Sequence, residues 1–151
     1  MRNKELLLFN GRASLTSINR YQYKIGSILY TVVITRPDIV FTASRLARFN
    51  TNPGEAHYTE ADRVIRYLVG TKNLALQLGR SDIFEVTSDT SFVDNTMDRT
   101  SSQAYVMRLF GGTIGWRANK QDTVTTSTTE AELLALAQAT KEALFVLQLV
   151  K

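Results

Sequence analysis

The stretch FEVTSD, Phe84 to Asp89, alternates Phe, Val and Ser with Glu, Thr and Asp and ends on a carboxylate. A period of two is typical of a half-buried β-strand. Upstream, from Tyr21 to Gly70, apolar residues instead recur every three or four positions, which is typical of helices. The change of period predicts an α/β protein of the α+β kind, with helices before a sheet.

Three helices are predicted in the segment 21–80. The first runs from Tyr21 and stops at Arg36, because a residue before proline is pushed out of the helical region. The second begins at Pro37, which suits a first helical turn. No sustained period precedes Tyr21, so residues 1–20 are expected to be a tail or loosely packed lead-in.

The third helix carries its own start and stop signals. Asn52 is expected to cap it, with Pro53 in the first turn and Glu55 placed to bond back to the cap. Gly70 is expected to end it. His57, the only histidine of the chain, is expected to be a packed structural imidazole, and one histidine cannot supply a His-based metal cluster.

The rest of the chain predicts strands and one long helix. Short strands are expected at Leu74–Leu78 and Phe84–Asp89, a polar loop at 90–100, and a hairpin of Gln103–Phe110 and Thr113–Trp116 around Gly111-Gly112. Tyr105 and Trp116 are expected in the core rather than as base-stacking platforms. Ser127 and Glu130 form a capping box that opens a helix running to Val150.

Composition excludes several classes of protein. The 151 residues include no cysteine, so neither a disulfide scaffold nor a thiolate-held metal site is possible. The longest apolar stretches, such as Ile28–Ile34 and Ala143–Leu147, fall short of the roughly 18 residues of a membrane span. The apolar stretch Leu6–Phe9 is too short for a signal-peptide core. An intracellular protein, cytoplasmic or nuclear, with no membrane partner is therefore expected.

Charge is divided unevenly along the chain. Residues 1–80 hold 12 Lys and Arg against 5 Asp and Glu, whereas residues 81–151 hold 6 against 9. A basic half suits phosphates, so arginines of the predicted helices are candidate nucleic-acid contacts, with plain solvated helix faces as the alternative. These candidates are Arg36, Arg45, Arg48, Arg63 and Arg66.

The acidic half offers a candidate metal site. Asp89 ends a predicted strand and Glu132 lies in the first turns of the long helix, and two such carboxylates can converge on Mg²⁺ or Mn²⁺. Asp94 and Asp98, in the following loop, are possible further ligands, although turn formation and solvation are the ordinary roles of Asp in a loop. Glu130 already has a role in the capping box.

Several motifs, in order along the chain, resemble the ribonuclease H region of copia-type retrotransposon Pol polyproteins. They are Ser88-Asp89-Thr90-Ser91-Phe92, Asp98 to Tyr105, Gly111 to Trp116, and Ser127 to Leu133. Earlier segments, Gly26 to Tyr30, Thr35 to Ile39 and Asn52 to Lys72, resemble the end of the copia reverse transcriptase.

The resemblance implies an RNase H-like mixed sheet, truncated after its first long helix and preceded by a three-helix segment. Its domains would be a lead-in at 1–20, a helical reverse-transcriptase segment at 21–80, and a partial RNase H-like domain at 81–151. Sites of this family use two metal ions to cut RNA in RNA/DNA hybrids. By motif position, Asp89 matches the first catalytic aspartate and Glu132 the catalytic glutamate.

Two departures from the family pattern bear on catalysis. Ser91 stands where the pattern has a second aspartate, with Phe92 in place of its tryptophan, and the sequence stops at Lys151 before the motif with the third aspartate. The expected function is therefore a catalytically deficient protein that acts by binding nucleic acid or protein. The alternatives are an active RNase H completed by oligomerisation and a domesticated interaction or effector protein with no nucleic-acid role.

The end of the long helix predicts self-association. Its apolar residues surround it nearly completely, and an open strand edge would lie beside it. A homo-oligomer, most simply a two-fold dimer, is expected either through the end of this helix, at Leu144, Phe145, Leu147 and Val150, or through the open strand edge that the resemblance implies. The alternative is that residues 1–20 fold back over this surface.

Overall fold

Four helices and three strands form two units in the computed structural model, which describes residues 6–79, 83–91 and 100–150. The first unit is residues 1–75 and the second is residues 76–151. The helices of the first unit are α1 at Leu15–Ile34, α2 at Val40–Ala47 after a 3-10 turn at Pro37–Ile39, and α3 at Glu55–Gly70. The second unit has β1 at Phe84–Ser91, β2 at Ser102–Leu109, β3 at Gly112–Lys120, and α4 at Thr128–Val150.

Helix α1 begins six residues earlier than the sequence predicts. The Ser14 hydroxyl caps it by accepting from the Ser17 backbone N–H at 3.2 Å. The Ser17 carbonyl in turn accepts from the Tyr58 hydroxyl of α3 at 2.5 Å. Residues 15–20 therefore belong to the helix and not to a lead-in, because a local cap and a long-range contact compensate for the missing apolar period.

The predicted cap of α3 is wrong. The backbone N–H of Gly54 donates to His57 Nδ1 at 2.8 Å, which makes Gly54 the cap residue. The Asn52 side chain instead binds the lead-in: its oxygen accepts from Ala13 N at 2.9 Å, and its amide donates to the carbonyls of Gly11 at 2.9 Å and Phe9 at 3.1 Å. Three long-range bonds thus outweigh one local cap bond.

The core of the first unit consists of large apolar side chains. Tyr21, Ile25, Ile28 and Leu46 are at most 2% exposed. The Tyr21 hydroxyl donates to the Leu46 carbonyl at 3.0 Å, so the polar end of the ring is satisfied inside the core. Burial raises the pKa of Tyr21 far above its usual value. This hydrogen bond joins α1 to α2 in the middle of the core.

The sheet of the second unit is antiparallel throughout its described strands, in the order β1-β2-β3. The chain is therefore mixed α/β, but no parallel pair of the predicted mixed sheet occurs among these strands. The predicted strand Leu74–Leu78 is wrong, since the segment is irregular and both leucines are more than half exposed. Thr90 and Ser91 continue β1 instead of opening a loop, because they pair with Gln103 and Ser102.

The β2–β3 hairpin turns one residue earlier than predicted. Phe110 and Gly111 form the turn, with φ of 52° and 75°, and positive φ at both positions is what a type I′ turn requires. Gly112 belongs to β3, where a side chain would lie 2.8 Å from the Gln77 carbonyl oxygen. Gly112 is therefore needed for close approach and not for the turn.

Helix α4 packs on β1 and β2 through alanines. Its capping box forms as predicted on one side, because Ser127 Oγ accepts from Glu130 N at 3.1 Å. The buried residues of α4 are Ala131, Ala135 and Ala139. By length and apolar composition alone, α4 could cross a membrane. The core helices of soluble proteins and signal sequences also meet these two criteria. Uninterrupted apolar stretches do not predict a helix of this kind, because Lys141-Glu142 divides the apolar sequence of α4.

Candidate cation site

Asp89 and Glu132 line the same cavity in the second unit. The cavity has a volume of about 320 Å³ and lies between the end of β1, at residues 88–90, and the first turns of α4, at residues 129–136. Both carboxylate residues are exposed, so water and ions have access to them. The two candidate ligands are 43 positions apart in the sequence, and the packing of α4 on β1 brings them together.

A buried polar contact holds the start of α4 against the sheet. The side chain of Gln121, which is 2% exposed, donates to the carbonyl of Ala131 at 2.8 Å. The Thr90 hydroxyl donates to the same carbonyl at 3.4 Å. Because Ala131 precedes Glu132 and Thr90 follows Asp89, these bonds hold the segment that carries Asp89 beside the segment that carries Glu132.

Gln121 is itself fixed from several sides. Its backbone N–H donates to the Ser101 carbonyl at 2.8 Å, and its amide also donates to Gln103 Oε1 at 3.3 Å. The hydroxyls of Ser101 and Thr125 are 3.3 Å apart beside it, and both residues are buried. Gln121 was not predicted as a site residue, since a glutamine after a strand carries no motif.

Two carboxylate side chains, those of Asp89 and Glu132, line this cavity. Carboxylate oxygens are the ligands that Mg²⁺ and Mn²⁺ prefer, and Mg²⁺ commonly keeps several waters beside one or two carboxylates. One oxygen of Asp89 accepts a hydrogen bond from Thr90 N at 2.8 Å. Within 6–79, 83–91 and 100–150, no group of three or more His, Cys, Asp or Glu residues could hold a metal.

The other acidic candidates do not add to this pair. Asp94 and Asp98 lie outside the residues that the structure describes. Glu130 is engaged at the helix cap, where its carboxylate accepts from Thr126 N at 2.7 Å and from the Thr126 hydroxyl at 3.0 Å. These hydrogen bonds lower the pKa of Glu130.

Arg36 is a structural residue rather than a phosphate contact. It is 6% exposed, and its guanidinium donates to Asp38 Oδ2 at 2.7 Å and to Thr71 Oγ1 at 2.7 Å. The hydrogen bonds from Arg36 lower the pKa of Asp38. Its burial is incompatible with the predicted role at a nucleic acid, since the group is already satisfied by these residues.

The remaining candidate arginines sit on the surfaces of α2 and α3 with partners of their own. Arg63 is 3.0 Å from Glu60, and Arg66 Nε donates to the Asp62 carbonyl at 3.4 Å. The Arg45 guanidinium lies 5.7 Å from the centroid of the Phe41 ring, and Arg48 is half-buried. Acidic neighbours thus offset much of the positive charge on α3.

His57 is structural, as predicted. It is 1% exposed, stacks on Phe49 with ring centroids 3.9 Å apart, and accepts from Gly54 N through Nδ1. Its Nε2–H therefore donates to the Leu7 carbonyl, at 3.0 Å. Burial lowers the pKa of His57.

The aromatic residues of the hairpin are half-buried. Tyr105 and Trp116 lie in β2 and β3, and neither is fully enclosed. Burial raises the pKa of Tyr105. The predicted core position is therefore reached only in part.

The predicted association residues are all exposed. Leu144, Phe145, Leu147 and Val150 are 43–58% exposed, although they belong to a helix packed on a sheet. Leu144 and Leu147 share a face of α4, whereas Phe145 lies about 100° around the helix from Leu144. The set therefore covers more than one side of α4.

Comparison with known proteins gives matches along most of the chain. It is 35% identical over 128 residues to "Secreted RxLR effector protein 161" of Plasmopara viticola, covering 83% of this chain and 90% of that protein. It is 36% identical over 127 residues to the retrovirus-related Pol polyprotein from transposon TNT 1-94 of Nicotiana tabacum, covering 83% of this chain and 10% of the polyprotein. The corresponding polyprotein from transposon RE1 of Arabidopsis thaliana is 34% identical over 140 residues, which cover 91% of this chain and 9% of the polyprotein.

These matches agree with the motifs that the sequence presents. No family model matches the chain, and no solved structure matches it. The chain spans about a tenth of the length of the two polyproteins. Matches of 31–36% identity to several transposon polyproteins nevertheless extend over most of its residues. The chain therefore belongs to the proteins derived from copia-type retrotransposon Pol polyproteins.

Proposed function

We propose that the second unit is an RNase H-like domain whose Asp89 and Glu132 bind one divalent cation, and that the chain does not cleave RNA by itself. The observation that carries this proposal is the shared cavity of Asp89 and Glu132. The motif positions of these two residues and the transposon-derived family support the RNase H-like assignment.

The number of carboxylates argues for binding without cleavage. A two-metal site places its ions roughly 4 Å apart and needs several ligands to hold both. The described residues offer Asp89 and Glu132, with Ser91 at the position where the family pattern has another aspartate. Two carboxylates can hold one hydrated ion, but they leave a second ion without a place.

Each residue of the site has a separate task in this proposal. A bound Mg²⁺ or Mn²⁺ would supply Lewis acidity toward a phosphate oxygen. Asp89 and Glu132 neutralise and orient the ion, while Gln121 and Thr90 keep α4 beside β1 through the Ala131 carbonyl. With so few charged ligands, binding is expected to be weak, with a dissociation constant on the order of 10⁻⁴ to 10⁻³ M.

Paramagnetic broadening by Mn²⁺ tests the cation site. Substoichiometric Mn²⁺ added to the isotope-labelled full chain should broaden amide resonances of β1 and the start of α4 first. Asp89→Asn and Glu132→Gln should each abolish this selective broadening. Glu85→Gln is the matched control, since it removes one exposed carboxylate from the same strand outside the cavity. Selective broadening that survives both variants would disprove the site.

Cleavage of a labelled RNA/DNA hybrid tests the second half of the proposal. With Mg²⁺ or Mn²⁺ present, the chain at micromolar concentration should cleave no faster than the Asp89→Asn and Glu132→Gln variants. Cleavage by the wild-type chain that both variants lose would contradict the proposal. Such a result would favour the alternative function, an active RNase H whose site is completed by oligomerisation.

A nucleic-acid-binding role receives limited support from the arginines. Arg36 is buried, and Arg63 is paired with Glu60. Arg45, Arg48 and Arg66, which are half-buried or exposed, are the candidates for contacts with backbone phosphates. Replacing these three with glutamine should reduce the salt dependence of hybrid binding if they make such contacts.

An interaction or effector role without nucleic acid is the second candidate. The relative named as a secreted RxLR effector protein is matched over 90% of its own length, unlike the polyproteins. The ion pairs of Arg63 with Glu60 and of Lys24 with Asp62 favour the same alternative, because they offset positive charge. Absence of any salt-sensitive binding to RNA, DNA or hybrid by the full chain would favour this role.

A further inference from the structure

Residues 6–11, which we call the strap, lie beside the start of α3 although they belong to no helix or strand. Two side chains hold the backbone of the strap. Asn52 donates to the carbonyls of Phe9 at 3.1 Å and Gly11 at 2.9 Å, and His57 Nε2–H donates to the carbonyl of Leu7 at 3.0 Å. Because the three acceptors are main-chain oxygens, the polar attachment of the strap depends on Asn52 and His57.

The strap covers the first turn of α3. Both segments line one cavity of about 540 Å³. The Phe9 ring lies against Gly54, where a side chain would come within 2.8 Å of its Cδ2 atom. Leu7 and Leu8 are 68% and 59% exposed, so the first half of the strap has little apolar packing of its own. The hydrogen bond from His57 is therefore the main attachment of that half.

Both ring nitrogens of His57 are bonded. Nδ1 accepts from the Gly54 N–H at 2.8 Å, while Nε2 carries the proton that is donated to Leu7. The ring is 1% exposed and stacks on Phe49. A proton added at Nδ1 would point at the N–H of Gly54, so two donors would face each other where one hydrogen bond lies now. The folded arrangement therefore accepts only the neutral imidazole.

We propose that protonation of His57 at Nδ1 releases the first half of the strap from α3, with the bonds of Asn52 as the hinge. The step forms one N–H bond, with the solvent as the proton source, and breaks the hydrogen bonds of the ring with Gly54 and Leu7. Water then hydrates the imidazolium, so the released state binds the proton more tightly than the closed state. Acid therefore shifts the population toward release. This inference goes beyond the proposed cation site and does not depend on it.

The charged groups around the imidazole favour a proton once the strap is released. Glu55 and Glu60 of α3 line the same cavity, and the strap itself carries no charged side chain. From the segment after α2, Phe49 covers the ring, with Arg48 next to it in the sequence. The two carboxylates favour an imidazolium and the arginine disfavours it. In the closed state burial outweighs the carboxylates and lowers the pKa of the imidazole.

Solution NMR of the isotope-labelled full chain tests the release between about pH 7.5 and about pH 5.0. As His57 titrates, protection of the Gly54 amide against hydrogen exchange should fall at least about tenfold. The heteronuclear NOE of the Leu7 amide should fall over the same pH range. The amide of Ala13, which donates to Asn52 at 2.9 Å, is the internal control and should stay protected within about twofold.

Two variants separate the proton from the strap. His57→Gln is the matched variant, because a glutamine three residues after the cap can accept from the Gly54 N–H without titrating. Its Gly54 protection should agree within about twofold at the two pH values. Asn52→Ala removes the hinge and should raise the pKa of His57 toward its ordinary value, because the strap and the proton compete for the ring. Circular dichroism confirms that both variants are folded.

Three results would overturn the proposal. The first is Gly54 protection that persists after His57 has taken up its proton. The second is a loss of protection that the Ile28 amide in the middle of α1 shares to the same extent, since the whole unit would then be unfolding. The third is a pKa of His57 that Asn52→Ala leaves unchanged, because the strap would then have no influence on the imidazole.

Discussion

The two long helices, α1 and α4, bury opposite kinds of residue. Helix α1 places Tyr21, Ile25, Ile28 and Val32 in the core of its unit. Helix α4 is longer and more apolar, yet its buried residues are alanines and most of its leucines face outward. Apolar content alone therefore does not show which side of a helix meets the core of its own unit.

Truncating a leucine or isoleucine on each helix should give the largest contrast. Ile28→Ala is expected to lower the free energy of unfolding by about 2–5 kcal/mol, because it leaves a cavity among fully buried neighbours. Leu144→Ala should change it by less than about 0.5 kcal/mol in the monomer, because the side chain is half exposed. Urea unfolding at low micromolar concentration, below dimer formation, measures both.

Equal losses of unfolding free energy for Ile28→Ala and Leu144→Ala at low concentration would contradict the contrast between α1 and α4. They would mean that the outer face of α4 is already covered within one chain. A loss of stability for Leu144→Ala that appears only at high protein concentration would show that association between chains is its source.

Replacing a buried alanine of α4 with a larger residue should have the next largest effect on the free energy of unfolding. Ala135→Leu is expected to cost about 1–3 kcal/mol, because Ala135 is 4% exposed and extra methyl groups would push α4 from the sheet. Ala137→Leu, on the exposed outer face, is the control and should be nearly neutral in the monomer. A neutral Ala135→Leu would show that α4 and the sheet are loosely packed.

The pH dependence of stability should report on the first unit alone. The pKa of His57 is lowered by burial, so below its ordinary value of about 6.5 the unfolded chain binds more protons than the folded chain. The contribution is fully present above that pH and is lost as the pH falls below it. The urea midpoint of the wild type should therefore fall more steeply than that of His57→Gln between about pH 7.5 and about pH 5.5. Parallel curves would contradict a neutral buried imidazole.

Removing an ion pair from the surface of α3 should have the smallest effect on stability. Arg63 and Glu60 form an exposed pair at 3.0 Å, and such pairs contribute between 0 and about 1 kcal/mol. Arg63→Ala should shift the urea midpoint only slightly, and less still in high salt. A large loss would indicate that Arg63 contacts more than Glu60.

Much of the helical structure could be predicted, because periodicity and proline are local signals. The break at Arg36-Pro37 and the capping serine of α4, Ser127, are both present in the structure. The start of α1 and the cap of α3 were missed, since each depends on partners about 40 residues away. The prediction of a strand at Leu74–Leu78 was wrong, because an alternating sequence does not show whether another strand is available to pair with the segment.

The candidate site was predictable in part. Asp89 and Glu132 were identified by motif, and the structure places them at one cavity. Gln121 was missed, because its role arises from a long-range bond to a backbone carbonyl. Arg36 was misassigned, since a basic residue before a proline shows nothing of its burial.

The turn at Phe110-Gly111 bears on how the sheet forms. The three strands pair with their neighbours in sequence, so the β2–β3 hairpin is a local contact that can form early. Its first turn residue is a phenylalanine at φ 52°, a conformation that costs an L-residue about 1–2 kcal/mol. If the hairpin belongs to the folding nucleus, this strain is already present at the transition state. Its relief by Phe110→Gly would then quicken folding while leaving the lifetime of the folded chain nearly unchanged.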